Sequence, residues 1–201
     1  MGAELAQSDA RILDRISRLP HARADFKQLV RELGARGNAR AQLDQALARL
    51  EAAGELIQFR SGHYAVTSRS REFAVGRLQM HRDGYGFLVA DHPREDIRGD
   101  IFIPPAAAEK AMHGDRVLAR VGRVDSEGRA EGEIVRILRR AHLTVVGEFR
   151  VKLRGNFVVP HDDRIRQWIE IPEGFESPPL AAQVDRVGVR PPEAAGISDM
   201  D

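Results

Sequence analysis

The chain has 201 residues, 31 basic and 30 acidic side chains, a formal net charge of +1 and 42% hydrophobic residues. These values fit one or two globular domains and exclude a disordered or strongly charged chain. Cysteine is absent, which excludes disulfides, cysteine-ligated zinc, iron–sulfur clusters and thiol catalysis, and favours a reducing compartment. The first residues contain early acids and no apolar run, so we expect neither a signal peptide nor a membrane span, and a cytoplasmic location.

Residues 1–72 have the periodicity of three amphipathic helices followed by a β-hairpin. Apolar residues recur at helical spacing in all three helices. The helix boundaries are marked by the capping and stop residues Ser8, Asp25, Gly34, Asn38 and Gly54. Two alternating strands, residues 56–60 and 63–66, flank a two-residue turn. This order predicts a winged helix-turn-helix domain.

Basic side chains of this first domain are candidates for contact with a nucleic-acid backbone. We assign three to the third helix and two to the wing: Arg36, Arg40 and Arg49, then Arg60 and His63. The alternative is an ordinary solvated face, because the acidic residues Asp44, Glu51 and Glu55 lie in the same stretch.

From residue 73 the pattern changes to short alternating strands, and it repeats. The segments 84–89 and 101–104 are echoed about 70 residues further on by 154–159 and 169–172. Repeated short strands with glycine turns predict two consecutive five-stranded OB barrels, residues 73–140 and 141–201. We expect the second barrel to be incomplete, since only residues 184–189 look strand-like beyond Pro172. The expected fold is therefore α+β and multidomain, in a piece of a longer protein.

Two segments of the first barrel resemble known motifs. Residues 83–88, Asp-Gly-Tyr-Gly-Phe-Leu, are similar to the first ribonucleoprotein motif of cold-shock domains, and residues 100–103, Asp-Ile-Phe-Ile, to the second. Two further segments carry the resemblance, residues 47–57 of the winged helix and His-Gly-Asp-Arg-Val at 113–117. Together with the domain order, they resemble the amino-terminal region of bacterial exoribonucleases of the ribonuclease R type, within the ribonuclease II family.

The resemblance implies an RNA-binding region that feeds single-stranded RNA to the catalytic domain of a processive 3′-to-5′ hydrolytic exoribonuclease. In that family the catalytic domain holds magnesium by carboxylates, and we expect both the domain and its magnesium to lie outside this chain. The implied partners are single-stranded or structured RNA and, for the winged helix, a protein, with no membrane. The alternatives are a winged-helix DNA-binding regulator and a protein-interaction module.

Candidate binding residues are concentrated in the first barrel. Tyr85 and Phe87 share one face of a strand and Phe102 can join them from the next strand, which gives a platform on which unpaired bases stack. The alternative places these rings in the barrel core. The basic candidates for phosphate contact are Arg77, His81, Arg82 and Arg98.

Several positions depart from the cold-shock pattern. Asp83 stands where a lysine is usual, and Pro104 and Pro105 replace a His-Phe pair, so we expect weaker stacking than in a free cold-shock protein. In the second barrel Gly155 and Glu170 replace the first and third rings, which leaves Phe157 as a lone candidate. We expect Trp168 in the core or between domains.

Catalytic signatures are missing from the sequence. It contains no glycine-rich phosphate loop, no His-Glu-x-x-His and no Gly-x-Ser-x-Gly. The run His161, Asp162 and Asp163 is better explained as a loop than as a cation site. We therefore expect no catalysis, no metal and no cofactor in this chain.

Overall fold

The computed structural model describes residues 2–59, 61–152 and 155–175. They form an α+β structure that divides into two compact units, one ending at Val75 and one beginning at Gly76. Among the described residues, no helix is long and apolar enough to cross a membrane.

The first unit contains three helices that pack on a small sheet. The helices are α1 (Gly2–Ser17), α2 (Phe26–Glu32) and α3 (Asn38–Ala52). The strands β1 (Arg23–Asp25), β2 (Leu56–Gln58) and β3 (His63–Val66) form an antiparallel sheet in the order β1-β3-β2. The sequence did not predict β1, because a three-residue strand is too short to show alternation. A common core that includes Ile16, Leu29, Leu47, Leu56 and Tyr64 joins the helices to the sheet.

Most of the predicted helix boundaries in this unit are confirmed. The Asp25 carboxylate accepts a hydrogen bond from the Gln28 N–H at 2.7 Å and caps α2. Gly34 and Gly54 follow α2 and α3 with φ of +64° and +79°, a backbone region that favours glycine. The predicted cap at Ser8 is wrong: it lies inside α1, since residues 3–7 are mostly good helix formers that extend the helix.

The second unit begins with a closed barrel of five strands. These are β4 (Phe73–Met80), whose first residues belong to the first unit, β5 (Gly86–Ala90), β6 (Ile101–Ile103), β7 (Arg116–Val124) and β8 (Ala130–Arg139). They close in the order β4-β5-β6-β8-β7, with a four-residue helix α4 (Pro105–Ala108) after β6. Leu78, Leu88, Ile101, Ile103 and Val117 are fully buried. The predicted first OB-like barrel is therefore confirmed.

A buried carboxylate fixes the turn that leads into β7. Asp115 is fully buried and lies 2.8 Å from the Arg140 guanidinium. It also accepts hydrogen bonds from the N–H groups of Met112 and Ala141, both at 2.9 Å. Gly114 has φ of +85°. The His-Gly-Asp segment at 113–115 is thus a structural turn.

The described part of the second repeat is a three-stranded antiparallel sheet. It consists of β9 (Gly147–Lys152), β10 (Gly155–Pro160) and β11 (Ile169–Ile171) in the order β11-β10-β9. Val145, Val158, Ile169 and Ile171 form its core, together with Met112. The strand predicted at residues 184–189 lies outside the described residues.

Candidate nucleic-acid interface

The barrel places aromatic side chains on its outer surface by simple alternation. Along β5, Gly86 and Leu88 are buried, so Phe87 between them points outward. Phe87 is 39% exposed and lies directly opposite Phe102 of β6 in the strand register. Tyr85 precedes β5 and lies on the same side. The rings are therefore outside the barrel core, contrary to the alternative in which they fill it.

The three rings touch each other in a compact group. The ring centroids of Tyr85, Phe87 and Phe102 are 5.8 Å apart in each of the three pairs. The imidazole of His81 stacks on Tyr85 with a centroid distance of 4.6 Å and an interplanar angle of 13°. We call His81, Tyr85, Phe87 and Phe102 the aromatic platform. Unpaired bases stack on surfaces of this kind with little regard to sequence.

Hydrogen bonds hold the turn between β4 and β5 that carries Tyr85. The His81 N–H donates to the Tyr85 carbonyl at 2.8 Å, and the Gly84 N–H donates to the His81 carbonyl at 3.0 Å. The Asp83 N–H donates to Nδ1 of His81 at 3.2 Å. From the second repeat, Nη1 of Arg166 donates to the Asp83 carbonyl at 2.9 Å. The platform is thus supported by both sheets of the second unit.

The basic residues predicted for phosphate contact are spread over the barrel. Arg82 is exposed in the turn next to His81. The Arg77 guanidinium lies beside Gly114. The Arg98 N–H donates to the carbonyl of Gly128 in the β7–β8 turn at 2.7 Å. Of the four predicted side chains, His81 is part of the platform and Arg82 is its neighbour in the turn.

The second sheet carries an aromatic pair that the sequence did not reveal. The rings of Phe157 and Trp168 lie 6.1 Å apart, and Nζ of Lys152 lies 3.6 Å from the Trp168 ring centroid. Trp168 is 45% exposed, so it does not lie in the core, and its contact with Phe157 corrects the expectation that Phe157 is alone. The other expectation, that Trp168 lies between domains, stays a prediction. The signal was available: Trp168 precedes Ile169, which is buried, and alternation turns neighbouring side chains to opposite faces.

The basic residues predicted for the first unit mostly contact other residues of the same unit. Arg36 precedes α3 rather than lying on it, which corrects the sequence assignment. The Arg40 guanidinium lies 5.4 Å from the Phe26 ring centroid, and Arg49 pairs with Asp9 at 3.0 Å. Nδ1 of His63 lies 3.1 Å from the hydroxyl of Ser61. Arg60 lies outside the described residues.

The acidic run after β10 is occupied by an ion pair. The Asp162 carboxylate lies 2.7 Å from the Arg164 guanidinium. Hydrogen bonds from Arg164 lower the pKa of the Asp162 carboxyl to about 2. Among the described residues, no group of three or more histidine, aspartate or glutamate side chains could hold a metal ion.

Comparison with known families identifies the barrel. Residues 76–137 match the family of the ribonuclease B OB domain. The barrel is therefore similar to the OB domain of the ribonuclease B type.

Individual relatives extend this match beyond the barrel. Ribonuclease R of Acidithiobacillus ferrooxidans is 33% identical over 74% of this chain and 33% of its own length. The ribonucleases R of Vibrio cholerae and Escherichia coli are 35% and 34% identical over 67% and 65% of this chain, and 16% and 15% of their own length. The resemblance to ribonuclease R that the sequence indicates is thereby confirmed, and the chain spans a third or less of the length of these relatives.

Among solved structures, the chain matches yeast Ssd1, a pseudonuclease, with a TM-score of 0.43 and 16% identity over 53% of this chain and 18% of that one.

Proposed function

We propose that this chain is the RNA-binding region of a ribonuclease R-like exoribonuclease and that its aromatic platform stacks unpaired bases. The observation that supports this most strongly is the group of three mutually touching rings on the outside of a barrel that matches a ribonuclease B OB domain. Each stacked base contributes roughly 1–3 kcal/mol to binding and demands little sequence specificity. The ligand is therefore single-stranded RNA of varied sequence.

The proposal extends to the organisation of the whole region. The three helices and hairpin of the first unit act as a winged helix, and the barrel and the second sheet act as successive cold-shock-like domains. They deliver single-stranded RNA to a catalytic domain outside these 201 residues, which hydrolyses it processively from the 3′ end with magnesium. The similarity to the ribonucleases R supports this arrangement.

The local charge sets the expected strength of binding. Asp83 lies in the turn beside the platform, where its carboxylate is 3.3 Å from Nδ1 of His81 and 66% exposed. A carboxylate repels the RNA backbone, whereas Arg82 in the same turn attracts it. We expect affinity that depends on stacking more than on charge at this site, with a correspondingly shallow dependence on salt.

Fluorescence anisotropy tests this proposal. The full chain is titrated against a labelled single-stranded RNA of about 12 nucleotides, within the site size of OB folds, at two salt concentrations. Phe87→Ala is expected to weaken binding by about 5- to 150-fold, the equivalent of one lost stacked base. The matched control is Leu143→Ala, which shortens an exposed apolar side chain outside the platform.

Two results would contradict the proposal. One is an unchanged RNA affinity in a folded Phe87→Ala variant. The other is a loss of affinity of the same size in Leu143→Ala, since that outcome assigns the effect to general surface hydrophobicity.

A further inference from the structure

The first unit contains a cleft that the sequence did not predict. Its volume is about 1020 Å³, and it lies between the turn Pro20–Ala22, strand β3 and the segment that follows β3. Five of its lining side chains are basic or can become so, and one is acidic: His21, Arg23, His63, Arg69 and Arg71, with Glu72. The cleft is therefore cationic.

The strand register places two basic side chains of this cleft on the face of the sheet opposite the helical core. Arg23 of β1 lies opposite Ala65, and Ala24 lies opposite Tyr64. Ala24 and Tyr64 belong to the helical core, so Arg23 and His63 project from the other face of the sheet. The cleft is thus separate from the surface of α3, where sequence reasoning placed Arg40 and Arg49, but it includes His63, which that reasoning placed on the wing.

Contacts within the chain hold the walls of the cleft in place. The Arg23 guanidinium packs over the Phe59 ring, with its central carbon 4.4 Å from the centroid, which limits its rotamers. The Ser70 hydroxyl accepts hydrogen bonds from the N–H groups of Glu72 and Phe73 at 3.1 and 3.2 Å. These bonds fix the segment that carries Arg69 and Arg71.

The turn on the opposite wall has an unusual backbone. His21 and Ala22 have φ of +59° and +48°, a backbone region that is unfavourable for residues with a side chain. The Ala22 N–H donates to the Leu19 carbonyl at 2.9 Å, and β1 begins at the next residue. Strain of this kind persists where the surrounding structure imposes it, and it is frequent at binding sites.

We propose that this cleft binds the backbone phosphates of RNA, whether or not the bases are paired. The guanidinium group presents several N–H donors in a plane that matches phosphate oxygens. Among the described residues that line the cleft, none is a phenylalanine, tyrosine or tryptophan, so the cleft contacts the backbone and leaves base stacking to the platform. We choose RNA rather than an acidic protein segment as the ligand, and this choice rests on the proposed function. If the aromatic platform binds RNA, the cleft and the platform bind the same ligand at two sites.

The test measures salt dependence with two ligands. A blunt RNA stem-loop and a single-stranded RNA, both fluorescently labelled, are titrated with the full chain carrying Arg69→Gln, Arg69→Lys or Arg11→Gln. Arg11 is an exposed arginine of α1 that does not line the cleft. Melting temperatures confirm that each variant is folded.

The proposal predicts the same loss for both ligands. Arg69→Gln should lower both affinities about tenfold, the scale of one hydrogen bond to a charged group. It should also reduce the slope of log K against log salt by about 0.9 for the stem and 0.7 for the single strand. Arg69→Lys should recover most of the slope, and Arg11→Gln should leave both slopes near those of the unchanged chain.

The outcomes separate this site from the platform. Equal effects of Arg69→Gln and Arg11→Gln on RNA would overturn the cleft proposal. The proposal would also be overturned if Arg69→Gln weakened binding of polyglutamate but left binding of RNA unchanged. That result would indicate an acidic protein partner. Phe87→Ala could leave the affinity for the single strand unchanged while Arg69→Gln lowers the affinity for both RNAs. In that case the stacking proposal is wrong and the proposal that the cleft binds phosphates is supported.

Discussion

Arg166 fastens the loop before β11 to the turn that carries Tyr85, because its Nη1 donates a hydrogen bond to the Asp83 carbonyl oxygen at 2.9 Å. The two residues lie in different sequence repeats, so the second sheet supports the platform on the first barrel. In the same turn Gly84 has φ of +92°, and a side chain added there would meet the Arg166 guanidinium. The turn therefore tolerates only glycine while Arg166 stays in place.

Arg166→Ala should loosen the turn without unfolding the barrel. An exposed hydrogen bond of this kind contributes about 0.5–1.5 kcal/mol, so the expected change in melting temperature is small. The N–H of Gly84, which donates to the His81 carbonyl, should exchange with deuterium faster. Hydrogen-exchange mass spectrometry of residues 81–86 measures this. Arg164→Ala is the control, since Arg164 lies in the same loop but pairs with Asp162; equal exchange in both variants would refute the coupling.

Gly84→Ala should cost more stability than Gly99→Ala. Both glycines have positive φ, +92° and +77°, so each substitution incurs backbone strain of about 1–2 kcal/mol. A side chain at Gly99 meets no atom within 4 Å, whereas one at Gly84 displaces Arg166. Urea denaturation gives the free energy of unfolding of both variants. The difference between the two values is the cost of displacing Arg166. Equal free energies of unfolding would show that Arg166 yields freely.

Asp115→Ala should destabilise the barrel strongly. The substitution removes the buried partner of Arg140, whose side chain is only 16% exposed, and the acceptor of two backbone N–H groups. Breaking a buried pair on one side typically costs about 3–5 kcal/mol. The control is Glu127→Ala, which breaks a pair with Arg129 in which the side chains are 68% and 71% exposed and should cost about 1 kcal/mol or less. Chemical denaturation measures both, and similar losses would contradict the assigned role of Asp115.

The barrel should lose stability on mild acidification through His113. Burial lowers the pKa of His113 below its ordinary 6.5, and the charges of Arg164 and Arg77 lower it further, against the opposite effect of Asp162. Its Nδ1 accepts a hydrogen bond from the Met80 N–H at 3.2 Å, which requires an unprotonated nitrogen. Below pH 6.5 the unfolded chain then binds a proton that the folded chain does not, so stability falls as pH decreases from about 6.5 toward the folded pKa.

Thermal melts of the unchanged chain and of His113→Gln between about pH 7.5 and 5.5 test this linkage. The difference in melting temperature between the two proteins should narrow as the pH falls. A difference that stays constant, or that widens toward acid, would show that another group is responsible.

Local signals in the sequence predict the barrel strands and the helix ends other than the start of α1. Asp25 and Gly34 act within a few residues of their own position, and the alternation of Gly86, Phe87 and Leu88 decides which side chains face outward. Contacts between distant residues were not accessible in this way. The sequence offers Arg49 as a contact for nucleic acid, because nothing near it in the sequence indicates that Asp9 pairs with it.

The cleft of the first unit was missed for the same reason. Its basic side chains come from residues 21–23, 63 and 69–71, which only the pairing of β1 with β3 brings together. A core position for Trp168 is excluded by a simpler signal: the neighbouring residue Ile169 is buried, and alternation turns Trp168 to the opposite face.

Photo-crosslinking shows whether the aromatic platform contacts single-stranded RNA. The full chain is bound to a single-stranded RNA of about 12 nucleotides that carries 4-thiouridine, irradiated, and analysed by mass spectrometry. Crosslinks are expected at Tyr85, Phe87 or Phe102, and they should be lost in Phe87→Ala while crosslinks elsewhere persist. Crosslinks confined to α3 and the hairpin, with none in residues 81–103, would contradict it.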